Sequence, residues 1–170
     1  KSSNGGTGAP TGTDFVDIWS TSTAFTAMRS DGSLVSWGGG TTPISAAPTG
    51  TGYTQVFSTG TAFAAMKSDG SIVSWGAADA GGTGAPVGTG FTTIYSNSGA
   101  FAALGVDGTI RSWGNAGFGG SNSDGSSQAP TGTGYVRIYA MRNAFAAIKA
   151  DGTVVTWGAA TSISGAGITP

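Results

Sequence analysis

A nine-residue pattern recurs four times along this sequence, at 30–38, 68–76, 106–114 and 150–158. Each copy carries Asp-Gly, then a small polar residue, then two or three strand-forming residues, then Trp-Gly. The repeated positions are Asp31, Gly32 and Trp37; Asp69, Gly70 and Trp75; Asp107, Gly108 and Trp113; and Asp151, Gly152 and Trp157. The tryptophans are spaced by 38, 38 and 44 residues, as are Pro10, Pro48, Pro86 and Pro130. Phe15, Tyr53, Phe91 and Tyr135 keep the same steps, and so do Phe25, Phe63, Phe101 and Phe145. Such a period means a small structural unit that buries its apolar faces by packing on its neighbours. The excess of the last step falls in the Gly-rich stretch 114–128. Residues 1–170 read as a single repeat domain with units at about 8–46, 47–84, 85–128 and 129–170. The hexapeptide Gly-Gly-Thr-Gly-Ala-Pro at 5–10 returns at 81–86, so the chain is expected to begin and end inside linkers, as a processed product or a segment of a longer array.

Within a unit, Tyr53–Ser58 and its counterparts Phe15–Ser20, Phe91–Ser96 and Tyr135–Ala140 are rich in aromatic and β-branched residues, which predicts a first strand. Simple alternation places Val56 on one face, with Tyr53 and Phe57 on the other. The second strand, Ala62–Lys67, is apolar on both faces up to Lys67, so material packs on both sides, and its alanines let that material come close. Asp69-Gly70 marks a hairpin, because a tight turn needs positive φ, which Gly adopts freely and Asp tolerates. A third strand at 71–75 then runs back antiparallel. Pro86 and Val87 are expected to open a short outer strand or an ordered crossing. No stretch holds a helical period, and glycine recurs too often to allow one. The expected fold is all-β, with tandem antiparallel sheets arranged as four propeller-like blades of about 40 residues.

The pattern resembles the RCC1-like repeats of the regulator of chromosome condensation family, over nearly all of residues 8–160. The residues that carry the likeness are Ala27-Met28, Ala65-Met66, Ala103-Leu104 and Ala147-Ile148, each followed by the Asp-Gly and Trp-Gly pairs above. The resemblance implies a β-propeller. Departures mark a divergent branch: the family's common His, three residues before that Ala, is Ala24, Ala62, Ala100 or Ala144 here. Its Trp-Gly-x-Asn turn survives only approximately, at 113–117. Family propellers typically have seven blades, and four units are present. Exchange-factor activity is not carried over, because no matching motif exists. An open stack of four blades leaves two raw faces. A longer array, association of several chains or closure of the four units on themselves would cover them; association or a parent array is favoured over an isolated monomer.

The chain has no Cys, His or Glu, so acid–base chemistry would rest on Asp, Lys, Arg and Tyr. Four of its aspartates are accounted for by the hairpin turns, and Asp14, Asp17, Asp79 and Asp124 are isolated. No activated pair emerges, so no catalytic, cofactor-binding or metal-ligating residue is assigned and the chain is read as a non-enzyme without a cofactor. A formal net charge of −1 gives no field for nucleic acid, and no apolar run reaches the roughly 20 residues of a membrane span. The repeated tryptophans are read as packing residues in preference to sugar-stacking platforms. Asp17, Gln55, Thr93 and Arg137 share one variable slot between aromatics. It is a candidate partner-contact position, with plain solvent exposure as the preferred reading. Low charge with abundant Gly, Ser and Thr points to an extracellular or cell-surface location. The expected function is a structural or adhesive repeat module that associates through its blade faces with other copies of the chain or with neighbouring repeats. The alternative is a soluble binding propeller, of inhibitor or lectin type, that takes a protein or glycan on its loop face. Some bacterial RCC1-like propellers are inhibitors that dock on an enzyme, which lends this alternative a fold-level analogy.

Overall fold

The computed structural model describes residues 6–39, 46–121 and 124–159. The expected linker stretches at 1–5, 40–45 and 160–170 lie outside these residues. Among the described residues, twelve strands form four separate three-stranded antiparallel sheets, each in the order first, second, third strand. Unit 1 contains β1 (Phe15–Ser20), β2 (Ala24–Arg29) and β3 (Leu34–Gly38); unit 2 contains β4 (Tyr53–Ser58), β5 (Ala62–Lys67) and β6 (Ile72–Gly76). Unit 3 contains β7 (Phe91–Ser96), β8 (Ala100–Gly105) and β9 (Ile110–Gly114); unit 4 contains β10 (Tyr135–Ala140), β11 (Ala144–Lys149) and β12 (Val154–Gly158). The first and second strands fall where the sequence pattern places them. The third begins one residue later, at Ile72 in unit 2, because Ser71 is still held in the turn by the Asp69 carboxylate.

The predicted facing of the first strand is corrected by a β-bulge. Tyr53 pairs with Lys67 and Gln55 with Met66, so the register slips across Thr54, and the same slip occurs in all four units. One extra residue reverses the alternation. Tyr53 therefore shares a face and a cluster with Val56, while Phe57 points the other way, into a different cluster.

Each sheet thus has a rear face toward the preceding unit and a front face toward the following one. Between units 1 and 2, Ala24, Met28 and Leu34 meet Tyr53, Val56, Phe63, Ala65 and Trp75. Between units 2 and 3, Ala62, Ala64, Met66 and Ile72 meet Ile94, Phe101, Ala103 and Trp113. Between units 3 and 4, Ala100, Ala102, Leu104 and Ile110 meet Tyr135, Ile138, Phe145 and Ala147. The front is aliphatic and small, and the rear is aromatic, so one kind of interface is built three times. On each rear face a tryptophan stacks on the phenylalanine directly across the ladder, with centroids 5.1–5.4 Å apart. Such a pair adds about 0.5–1.5 kcal/mol beyond its buried area.

The Asp-Gly hairpins also lock one unit to the next. In the first, Gly32 N–H donates to Arg29 C=O, and Gly32 takes φ 77° while no non-glycine described has positive φ. Asp31 keeps ordinary backbone angles and instead accepts the Ser33 N–H at 2.8 Å. The turn then receives Gly52 and Tyr53 N–H groups on the Asp31 and Gly32 carbonyls. Pro86 and Val87 form no strand, and Val87 is fully exposed. The linkers instead carry single 3-10 turns at Ala78–Ala80 and Ala116–Phe118.

Candidate functional site

The first strands of successive units lie against one another, β1 on β4, β4 on β7 and β7 on β10; among the described residues no comparable contact joins unit 1 to unit 4. This edge is where three of the four slot residues come together. Asp17, Gln55 and Thr93, with Trp19, Thr54, Val56 and Phe57, line one open groove of ≈ 260 Å³. The bulge produces this: the slot follows it directly, and Asp17 Oδ1 accepts the N–H of Ile18 at 2.8 Å beside it. In units 2 and 3 the bulged residue is a threonine whose hydroxyl donates to the carbonyl of Met66 or Leu104, at 3.1 and 3.0 Å. Arg137 is not part of the groove lining. Its guanidinium Nη1 lies 3.3 Å from the Tyr139 hydroxyl, on the exposed side of β10.

Beside the groove runs a relay of main-chain hydrogen bonds that the sequence does not announce. Ser22 N–H donates to Gly60 C=O at 3.0 Å, Gly60 N–H to Ser98 C=O at 2.9 Å, and Ser98 N–H to Arg142 C=O at 3.2 Å. These residues occupy the turns between the first and second strands. Thr21, Thr59 and Asn97 brace those turns by accepting the N–H of Ala24, Ala62 and Ala100. Unit 4 has Met141 at this place, 65% exposed.

The twelve repeat positions divide by what they touch. The four hairpin aspartates are exposed, and each carboxylate is held below its ordinary range chiefly by the backbone N–H two residues on, at Ser33, Ser71, Thr109 or Thr153. Gly32, Gly70 and Gly108 press on the backbone of the following unit, whereas Gly152 has open space. Trp75 Nε1 donates to Ser36 Oγ, and Trp113 and Trp157 Nε1 donate to the Gly81 and Gly119 carbonyls in the preceding linkers. No cluster of acidic side chains fit to hold a metal exists among the described residues, and no helix there is long and apolar enough to cross a membrane.

The two end units differ most from their copies. Ile18 is 55% exposed where Val56, Ile94 and Ile138 are 4%, 2% and 1%. Val154 is 62% exposed where Leu34, Ile72 and Ile110 are 8%, 7% and 2%. The rear of unit 1 and the front of unit 4 are therefore the two halves of the interface used three times inside the chain, each without its counterpart among the described residues.

The fold is that of RCC1-like β-propeller blades. The ectodomain of the Physcomitrella patens receptor kinase CR4 superposes with a TM-score of 0.57 at 18% identity, over 85% of this chain and 40% of its own. Human WBSCR16 gives 0.55 at 16%, over 85% and 47%. Prp20p of Saccharomyces cerevisiae, the yeast RCC1, gives 0.53 at 19%, over 79% and 41%. The chain thus spans 40–47% of the length of these proteins. No family model and no curated relative matches it. The likenesses indicate no enzyme family.

Proposed function

We propose that this chain is a non-enzymatic structural and adhesive module that associates with further copies of itself through its blade faces. The observation that carries this reading is the pair of uncovered half-interfaces, Ile18 at one end and Val154 with Tyr139 and Met141 at the other. Contiguous apolar faces of this kind mark association surfaces. The seat that fits each one is present three times within the chain. The low charge and the abundance of Gly, Ser and Thr support a location at a cell surface or outside the cell. Light scattering on the purified chain tests the proposal. Species heavier than the 16.5 kDa monomer are expected, and Ile18→Asp or Val154→Asp should return them to monomer without unfolding the chain. A wild-type chain that stays monomeric at 100 µM, on the order of the weakest specific contacts, would overturn it.

The groove favours a second reading, a binding propeller. Gln55 offers an amide beside the rings of Trp19 and Phe57, the combination that grips a glycan or a peptide. Prp20p, with the same blade fold, binds Gsp1p and histones. Titration of the chain against a panel of oligosaccharides and peptides, followed by calorimetry, checks this. Binding lost in Gln55→Ala supports it, and silence across the panel removes it.

A further inference from the structure

We infer that the copies join in one direction only, head to tail, and that Asp17 and Arg137 are the residues that key the junction. The inference rests on the self-association proposed above and adds its polarity and its specificity pair.

The main-chain relay has a sense. Each turn N–H donates forward to the carbonyl of the next unit, from Ser22 to Gly60 to Ser98 to Arg142. Among the described residues this leaves an acceptor at the start, the Ser22 carbonyl, and a donor at the end, the Arg142 N–H. A front-to-rear junction unites them. A symmetric contact between two like ends opposes acceptor to acceptor or donor to donor. The apolar faces have the same sense, small aliphatic in front and aromatic behind.

Charge agrees. Unit 1 carries Asp14, Asp17 and Asp31 against Arg29 alone, while unit 4 carries Arg137, Arg142 and Lys149 against Asp151 alone. Two rear faces would bring acidic units together, and two front faces basic ones, each costly. Asp14 is already engaged by Arg29 at 2.6 Å, so Asp17 is the carboxylate left to meet a partner. The slot residues of units 1, 2 and 3, Asp17, Gln55 and Thr93, share one groove. Continuing that arrangement across a junction sets Arg137 beside Asp17 of the second copy. The two charged members of the slot stand at the two ends, and the neutral ones lie between.

The test is charge exchange, read by sedimentation equilibrium. Both positions are exposed, so the variants keep the fold, which thermal unfolding verifies. D17R alone gives Arg facing Arg at every junction, and R137D alone gives Asp facing Asp. Each is expected to weaken association about tenfold, the scale of turning an exposed attraction into a repulsion. An equimolar mixture of D17R and R137D chains, and separately the double variant D17R/R137D, should recover wild-type association. A rear-to-rear contact predicts instead that R137D is silent and that D17R mixed with wild type associates more tightly than either alone. Single variants without effect, or a mixture no tighter than its components, overturn the inference while leaving self-association standing. A monomeric wild type overturns both.

Discussion

A Cβ placed on Gly70 would collide with the carbonyl oxygen of Phe91, in the first strand of the next unit. That approach exists because the hairpin of one blade is seated on the backbone of its neighbour. Gly152 holds the matching turn position in unit 4, at φ 87° against 79°, and meets nothing. Gly70→Ala combines left-handed strain with a clash against main chain and should cost at least about 3 kcal/mol. Gly152→Ala carries the strain alone, about 1 kcal/mol. Urea unfolding of the two variants at low protein concentration checks the difference.

Ile138 and Ile18 make the corresponding comparison on the faces. Ile138→Ala empties a filled site and should cost about 2–5 kcal/mol. Ile18→Ala, on the uncovered face, should stay within about 0.5 kcal/mol in the monomer. Equal losses at the two sites would show that the rear of unit 1 is covered. The same denaturant titrations decide this.

Ser112 fastens the long linker of unit 3. Its buried hydroxyl donates to Gly120 C=O at 2.8 Å, accepts Ala129 N–H at 3.0 Å and lies 3.0 Å from Ser127 Oγ. Ser112→Ala strands these partners and should cost about 1–3 kcal/mol. Faster amide exchange at Ala129, with the β8 amides still protected, is the expected signature.

Acid should loosen the hairpins in concert. Asp31, Asp69, Asp107 and Asp151 are each held below the ordinary carboxylate range in the folded chain, first by a backbone N–H. A depressed folded value means that the contribution is complete above the unfolded value, near pH 4, and is lost as pH falls through the folded values. Thermal unfolding followed from pH 6 to pH 2 should show a midpoint that declines only below about pH 4. Replacing all four aspartates by asparagine should flatten that decline.

The strands were legible because aromatic, β-branched and other apolar residues cluster in runs of about six and the whole pattern repeats with a period of about 40. The bulge was not, since Thr54, Thr92, Val16 and Val136 look like ordinary strand residues and the slip shows only in the pairing. Nor could burial be read locally. Ile18 and Ile138 are the same residue at the same repeat position, and among the described residues a unit packed in front of Ile138 and none in front of Ile18 separates 1% exposure from 55%. The slot was visible as a column of variable residues, but the groove joining Asp17, Gln55 and Thr93 depends on how three strands from different units meet. Arg137 matches them in sequence and is not among the residues that line that groove.

The relay from Ser22 through Gly60 and Ser98 to Arg142 runs through peptide groups at every link, with the Ser22 hydroxyl adding a second bond to the Gly60 carbonyl at the first. A serine, a glycine, a second serine and an arginine all supply its peptide links, and of the common amino acids only proline removes a backbone donor from it outright. Gene duplication followed by drift can therefore recolour the rim of such an array, changing its charge and what it meets, without loosening the joints between its copies.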